Sequence, residues 1–282
     1  MKFEFNRAAA LLAGYLLCLV LAPSSASADT LDEVKARGKM VVAVDPTFPP
    51  FEFTDSTGKI VGYTPAIMDA VGKKLGVAIE YQKIAFNGII PGLLAKSFDV
   101  ESSSLNVTAE RAKRVRFTVP FAKSANGVMT RADDSRVPTP ATIESLAGLT
   151  AVVKAATAPE KQLKEFNTVL VGKGLQPITI LSLDTVEQTI SALLAKRGDF
   201  VFDDITVLGG AMQQNAGKLR AAGELGASQW MAWATRPDDI RLNAAISNVI
   251  LGLQKSGELA ALQKTHLGVV MVVPETDFVP KP

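Results

Sequence analysis

Apolar and polar positions switch repeatedly between the two-residue period of a strand and the 3.6-residue period of a helix. Lys39-Met40-Val41-Val42-Ala43-Val44 is a short β-branched run that stops at Asp45-Pro46, as a buried strand would. Residues 65–75 then carry Ile67, Met68, Val71 and Leu75 on one helical face, with Gly76 as the stop. The alternation predicts strands over 79–84 and 98–103 and helices over 88–96 and 109–115. A similar series restarts with a strand over 149–153, a helix over 159–173 and a strand over 178–181. The segment 182–196 is the clearest helix, because Val186, Ile190, Leu193 and Leu194 follow the i, i+4, i+7, i+8 spacing. Strands over 200–202 and 230–235 and helices over 238–255 and 257–265 complete the pattern. Alternating β and α elements with apolar strands imply an α/β protein, its parallel sheets covered by helices on both faces. The polar, Pro-rich stretch Thr130 to Pro140 (TRADDSRVPTP) divides the two series. It reads either as a linker or as a surface excursion inside a second lobe.

The first 28 residues follow a different logic. Lys2 and Arg7 precede a 15-residue apolar run over 8–22, Pro23 ends it, and Ala26-Ser27-Ala28 offers an A-x-A cleavage site before Asp29. These are the three parts of a secretory signal peptide. A membrane anchor needs roughly 20 apolar residues. Export through a cleaved signal is therefore expected, and Cys18, the only cysteine, would leave with the signal.

Composition narrows the function classes. Thirty basic residues against 28 acidic ones give a formal net charge of +2, without the heavy basic footprint of a nucleic-acid binder. With 48% hydrophobic residues the chain is no disordered segment, and 282 residues are enough for a substantial core. One Cys and one His exclude a disulfide scaffold and a Cys/His metal cage. No P-loop, G-x-S-x-G or H-E-x-x-H is present, and no cofactor or metal is expected.

The chemistry concentrates at strand ends, where α/β sheets bind ligands. Ser102-Ser103-Ser104-Leu105-Asn106-Val107-Thr108-Ala109-Glu110-Arg111 runs from a strand into a hydroxyl-rich loop, with Thr108 placed as an N-cap. Arg111 in a first helical turn opposes the helix dipole. It is either a guanidinium that grips a carboxylate through two parallel hydrogen bonds or a solvated neighbour of Lys113, Arg114 and Arg116. Asp203-Asp204 follows another apolar strand; one of the two fits a helix cap, and the pair could equally receive an ammonium. In Asp45-Pro46-Thr47-Phe48-Pro49-Pro50-Phe51-Glu52-Phe53, three prolines restrict the loop. Its phenylalanines are either core plugs or, for Phe48 and Phe51, walls of a slot that stack on a ligand.

Taken in order, V-x-V-D-P-T-F-P-P-F-E-F, G-x-x-x-G-Y near residue 60, F-N-x-x-I-P-x-L and S-x-N-V-T-x-E-R resemble the periplasmic solute-binding proteins of the polar amino-acid class, family 3. The resemblance covers nearly all of 38–268. It implies a two-lobed type II periplasmic-binding-protein fold, with two parallel-rich sheets joined by two crossover strands near 121–129 and 225–233. Residues 29–124 and 228–282 would form lobe 1 and 125–227 lobe 2, closing on ligand about a hinge. By the same resemblance Arg111 clamps the ligand α-carboxylate, with Ser104 and Asn106 at the matching loop positions and Thr157 helping from lobe 2. Asp204 receives the α-ammonium, Phe48 and Phe86 sandwich the ligand side chain, and Asp45 stands at an acidic position that can meet a cationic side chain. The sequence departs from the family at Asn106, at Ala155-Ala156 before Thr157, and at Phe48, where a tyrosine is frequent.

Glu101 is out of pattern, since the family has an aliphatic residue there. It is expected either on the solvent side of the sheet or paired with a lysine, and alternatively as a specificity group or catalytic acid in the cleft. The function implied is capture of an amino acid or close analogue for the membrane subunits of an ABC importer, by a periplasmic, monomeric, non-catalytic protein. Two other readings of the scaffold are a cyclohexadienyl or arogenate dehydratase-like enzyme and a ligand sensor for a membrane receptor. Phe48, Phe86 and Trp230 favour an uncharged side chain in the ligand; Asp45 and Glu101 favour a cationic one.

Overall fold

The computed structural model describes residues 29–281; the signal segment, with Cys18, lies outside them. Among the described residues no helix is long and apolar enough to cross a membrane. The chain opens with α1 (Thr30–Arg37), capped by Asp29, whose side chain accepts from Leu31 N. It continues through β1 (Lys39–Val44), the short strands β2 (Thr47–Phe48), β3 (Glu52–Thr54) and β4 (Ile60–Val61), and α2 (Tyr63–Leu75). Next come β5 (Ala78–Lys83), α3 (Phe86–Leu94), β6 (Val100–Asn106), α4 (Ala109–Ala112), β7 (Arg116–Phe117) and β8 (Ala122–Ser124). The second series is β9 (Asn126–Arg131), β10 (Thr150–Lys154), α5 (Ala158–Gly172), β11 (Thr179–Leu183), α6 (Val186–Leu194), β12 (Phe200–Asp204), α7 (Ile205–Gln214) and β13 (Leu219–Glu224). The chain then returns through β14 (Gln229–Thr235), α8 (Ile240–Ser256) and α9 (Glu258–Leu267).

Two large sheets organise these elements, and β2-β3-β4 form a small third one. The first has the order β5-β1-β6-β14-β7, with β8 also paired to β14; the second has the order β11-β10-β12-β9-β13. In each, one strand is parallel to both neighbours, β1 to β5 and β6 and β10 to β11 and β12, and antiparallel strands follow on one side. Parallel pairing buries both faces of these strands, which is why they read as continuous apolar runs. Tyr63, Phe121 and Trp233 form an aromatic chain in the first core, and Phe166 packs edge-on against Phe202 in the second.

The first sheet draws its strands from 39–124 and 229–235, the second from 126–224. The backbone therefore passes twice between the lobes, and the passages run side by side: Ser124 pairs with Gln229 and Gly127 with Glu224.

Two differences from the sequence pattern have plain causes. Residues 98–103 were expected to end their strand, but β6 runs on to Asn106 with all seven positions buried, because β1 and β14 satisfy its backbone from either side. The stretch 130–140 is no linker; it is an excursion within the second lobe. Arg131 and Arg136 both bind Asp134, and Val137 is fully buried. Strands β9 and β13 and helix α7 lay in segments where mixed composition gave no clear period.

Gly62 fixes the approach of α2 to the Pro-rich loop. Its φ is 125°, and a Cβ there would stand 2.4 Å from the Phe51 carbonyl oxygen. Only glycine allows that contact, which holds Phe51 and Glu52 under the first turn of the helix.

Candidate ligand-binding site

The ends of β1, β6, β10 and β12 converge between the lobes on one cavity. Phe48, Phe86, Ser104, Asn106, Thr157 and Asp204, all named from the sequence, line it. Asp45 and Arg111 border it through other groups. Its open volume is about 20 Å³, room for about one water.

On the first lobe Thr108 caps α4 and accepts from Arg111 N at 3.2 Å, placing the guanidinium beneath the cleft. Arg111 Nη1 donates to the Asn106 carbonyl at 3.0 Å, and Nη2 crosses the cleft to the Ala156 carbonyl at 3.1 Å. Its Cζ lies 5.6 Å from the centre of the Phe86 ring. Burial pulls the Arg111 pKa down to about 10, against the opposing charges of Glu101 and Glu110, so it stays charged at neutral pH. Both of its hydrogen bonds go to backbone carbonyls, positions a carboxylate can take over with stronger, charge-assisted bonds. The Asn106 side chain is buried and its Nδ2 has no partner.

On the second lobe Asp204 ends β12 and caps α7, Oδ1 accepting from Thr206 N at 2.8 Å. It serves as a cap, and its Oδ2 is buried without a hydrogen bond of normal geometry, with the Ser124 hydroxyl near enough to favour the ionised form. Asp203 repeats the motif, its Oδ1 accepting from Asp204 N while Oδ2 has none. Burial raises both carboxyls, Asp203 to about 7. Thr157 caps α5, and its hydroxyl donates to the Lys154 carbonyl at 2.6 Å. That proton is spent within its own lobe.

The dominant contact across the cleft is one the sequence reading did not include. Lys154, the last residue of β10, is only 3% exposed, and its Nζ lies 2.9 Å from Asp45 Oδ2 and 2.9 Å from Thr47 Oγ1. The ammonium also sits 5.9 Å from the Phe48 ring centre and 5.3 Å from that of Phe86. Asp45 is held in turn by Phe86 N at 3.0 Å and Thr47 Oγ1 at 2.7 Å. The two aromatic residues therefore flank a cation that belongs to the protein. A strand-end signal was available, since Lys154 stands at the end of β10 as Asp45 follows β1, but the predicted strand stopped one residue short.

Glu52 was also passed over, although it lies inside the Pro-rich motif. It is 1% exposed and accepts from Ser104 N, Ser104 Oγ and Thr64 Oγ1, each at 2.8 Å. Glu101 stands apart from the cavity. It is fully buried in the middle of the first sheet, opposite Ala43 and Ala234, so it is neither solvent-facing nor joined to a lysine. Its Oε1 accepts from Ser103 N, its Oε2 has no partner, and burial raises its pKa well above the usual carboxylate range. Trp230 is likewise away from the cavity, stacked on Lys123 at 5.7 Å.

Two α/β lobes linked by paired strands, with a polar cavity between them, define a two-lobed solute-binding protein. Residues 40–269 match the bacterial extracellular solute-binding proteins, family 3, and the chain belongs to that family. It is 30% identical over 190 residues to the arginine-binding protein ArgT of Corynebacterium glutamicum, an alignment covering 67% of this chain and 61% of that one. It is 26% identical over 245 residues to the L-cystine-binding protein TcyJ of Escherichia coli K12, covering 87% and 88% of the two chains. Among solved structures, a P235GK mutant of the T. maritima arginine-binding protein superposes with a TM-score of 0.77 at 28% identity, covering 84% of this chain and 99% of that one.

Proposed function

We propose that this chain is a periplasmic receptor that closes on one α-amino acid and presents it to the membrane subunits of an ABC importer, without catalysing a reaction. Residues 29–124 and 228–282 act as one lobe and 125–227 as the other, bending where the paired strands pass between the sheets. The observation that carries this reading is a set of buried polar atoms without hydrogen bonds on residues lining one cavity, the donor Asn106 Nδ2 and the acceptors Asp203 Oδ2 and Asp204 Oδ2. An amino acid offers an acceptor carboxylate and a donor ammonium on the same Cα. A carboxylate reaching Asn106 Nδ2 and the Arg111 fork leaves the ammonium toward Asp204 on the facing lobe. Asn106 Nδ2 and Asp204 Oδ2 each gain a partner, which removes a penalty of about 1–3 kcal/mol apiece. Because the two halves of the ligand engage opposite lobes, binding favours closure by its differential affinity.

The ligand side chain meets Phe48, Phe86 and the Asp45–Lys154 pair. A cationic side chain, as in the arginine that names two of the relatives, would bring a second positive charge beside Lys154. At ~4 Å and an effective dielectric of ~20 that repulsion is about 4 kcal/mol, an upper figure that the Asp45 carboxylate, 2.9 Å from the same ammonium, partly offsets. An anionic side chain faces Asp45 and Glu52. A carboxamide carries a donor for Asp45 and an acceptor for Lys154 and adds no net charge. Glutamine is the ligand that best fits these groups. Glu101 is not among the residues that line the cavity, which leaves the dehydratase reading without its general acid there.

A thermal-shift screen of the mature chain against the common amino acids, prephenate and arogenate tests the proposal. L-Glutamine should give the largest rise in Tm, and neither prephenate nor arogenate should be consumed. A rise with none of the amino acids, or turnover of either acid, would overturn it.

A further inference from the structure

Ser104 lines the cavity, and its hydroxyl has one proton to place. The hydroxyl donates to Glu52 Oε2 at 2.8 Å, while the backbone N–H of the same residue donates to Glu52 Oε1 at 2.8 Å. Thr64 Oγ1 donates to Oε2 as well, also at 2.8 Å. A carboxylate only accepts, so an ionised Glu52 draws the Ser104 proton away from the cavity and leaves Ser104 Oγ with lone pairs alone to offer. We propose that Glu52 is a positioning residue that fixes Ser104 as a hydrogen-bond acceptor, so that the ligand group reaching Ser104 is an N–H donor. That group is either the ligand ammonium or its side-chain amide. The inference rests on the amino-acid reading above and adds a selectivity device to it: a serine that usually adapts to either partner is here committed to one.

The geometry supplies its own inverted control. In Glu52→Gln the Ser104 backbone N–H can only donate, so the amide oxygen must occupy the Oε1 position and the NH₂ group the Oε2 position. That NH₂ donates to Ser104 Oγ and Thr64 Oγ1, and the Ser104 proton turns toward the cavity. Shape and packing are nearly unchanged, but the polarity of Ser104 is reversed.

The experiment is calorimetric titration at pH 8, above the Glu52 value of about 7 to which burial raises it. The titrants are L-glutamine, L-glutamate and 4-carbamoylbutanoate, the analogue of glutamine that lacks the ammonium. Wild type, E52Q, S104A and the double variant are compared. In E52Q, glutamine affinity should fall about tenfold or more relative to wild type. If the side-chain amide is the donor, glutamate binding strengthens in E52Q and the analogue weakens with glutamine. If the ammonium is the donor, the analogue binds wild type and E52Q alike. In the S104A background, E52Q should shift these affinities by less than threefold, because the device acts through Ser104. A selectivity change that persists in S104A, or an equal loss for all three ligands, overturns the positioning role. Failure of wild type to bind glutamine or any other amino acid overturns the functional reading itself, a distinct result.

Discussion

Lys154→Met would remove a charge from the centre of the cleft and keep most of the side-chain volume. In the native cleft Lys154 Nζ and Asp45 Oδ2 are 2.9 Å apart, with both side chains at most 5% exposed. Breaking a buried pair from one side costs about 3–5 kcal/mol when the remaining charge stays dry. Asp45 keeps its bonds from Thr47 Oγ1 and Phe86 N, and opening of the lobes can rehydrate it, so the loss of stability should fall at or below the low end of that range. The effect on selectivity is larger and has the opposite sign for one ligand class. Without Lys154, Asp45 and the two phenylalanine rings form a site for a cation, and the repulsion of at most about 4 kcal/mol against arginine disappears. Arginine affinity should rise by about tenfold to thousandfold, the upper figure being the full conversion of that energy. Glutamine should weaken as its amide oxygen loses a donor. Titration calorimetry of both proteins with arginine, lysine and glutamine at two salt concentrations reads these changes. If arginine binds wild type and variant equally, the claim that Lys154 occupies the side-chain subsite is refuted.

Arg111→Ala should abolish amino-acid binding within the range of calorimetry while thermal unfolding stays cooperative, since its bonds within the fold go only to two carbonyls. Folding stability should depend on pH through Glu52 and Asp203. Both have folded values raised to about 7 by burial, so each stabilises the fold below its unfolded value near 4, and that contribution is lost as pH rises toward 7. For Glu52, moving from 4.5 to about 7 is worth about 3 kcal/mol. Chemical denaturation should show the fold weakening between about pH 4 and 7, and Glu52→Gln should flatten that slope; an unchanged slope would contradict the assignment. Gly62→Ala should lower stability by about 2 kcal/mol or more, because a Cβ would stand 2.4 Å from a carbonyl oxygen at a φ of 125°. A melting temperature within a degree of wild type would show that the backbone can relax there.

The parts of the fold that read correctly from sequence were those with a strong period. The run Lys39–Val44 and the helical face of 182–196 declare themselves because burial on both faces, or on one stripe, leaves no polar alternative. Strand β6 was harder: 98–103 read as a strand, but Ser104 to Asn106 look like a loop, and only the neighbouring strands make the burial of these polar residues tolerable. Strand β9 and helix α7 mix glycine, polar and apolar residues without a clear repeat, and it is their packing within the second lobe that decides them. At the site, Arg111, Asn106 and Asp204 were visible as polar groups at strand ends. Lys154 was not, because its meaning depends on Asp45, 109 positions away in the sequence and on the other lobe. Glu101 was misplaced for a related reason. A buried carboxyl in mid-strand violates composition rules, and here its burial is met by a backbone N–H and the nearby Arg111 charge rather than by a lysine.

The central claim is that the two lobes divide an amino acid between them, carboxylate toward Arg111 and Asn106 and ammonium toward Asp204. The most direct measurement is titration of residues 29–282 with L-glutamine and with two truncated forms of it, 4-carbamoylbutanoate without the ammonium and 4-aminobutanamide without the carboxylate. The account predicts that the intact zwitterion binds and that each truncated form binds at least a hundredfold more weakly. Equal binding of all three, or no binding of glutamine, would contradict it.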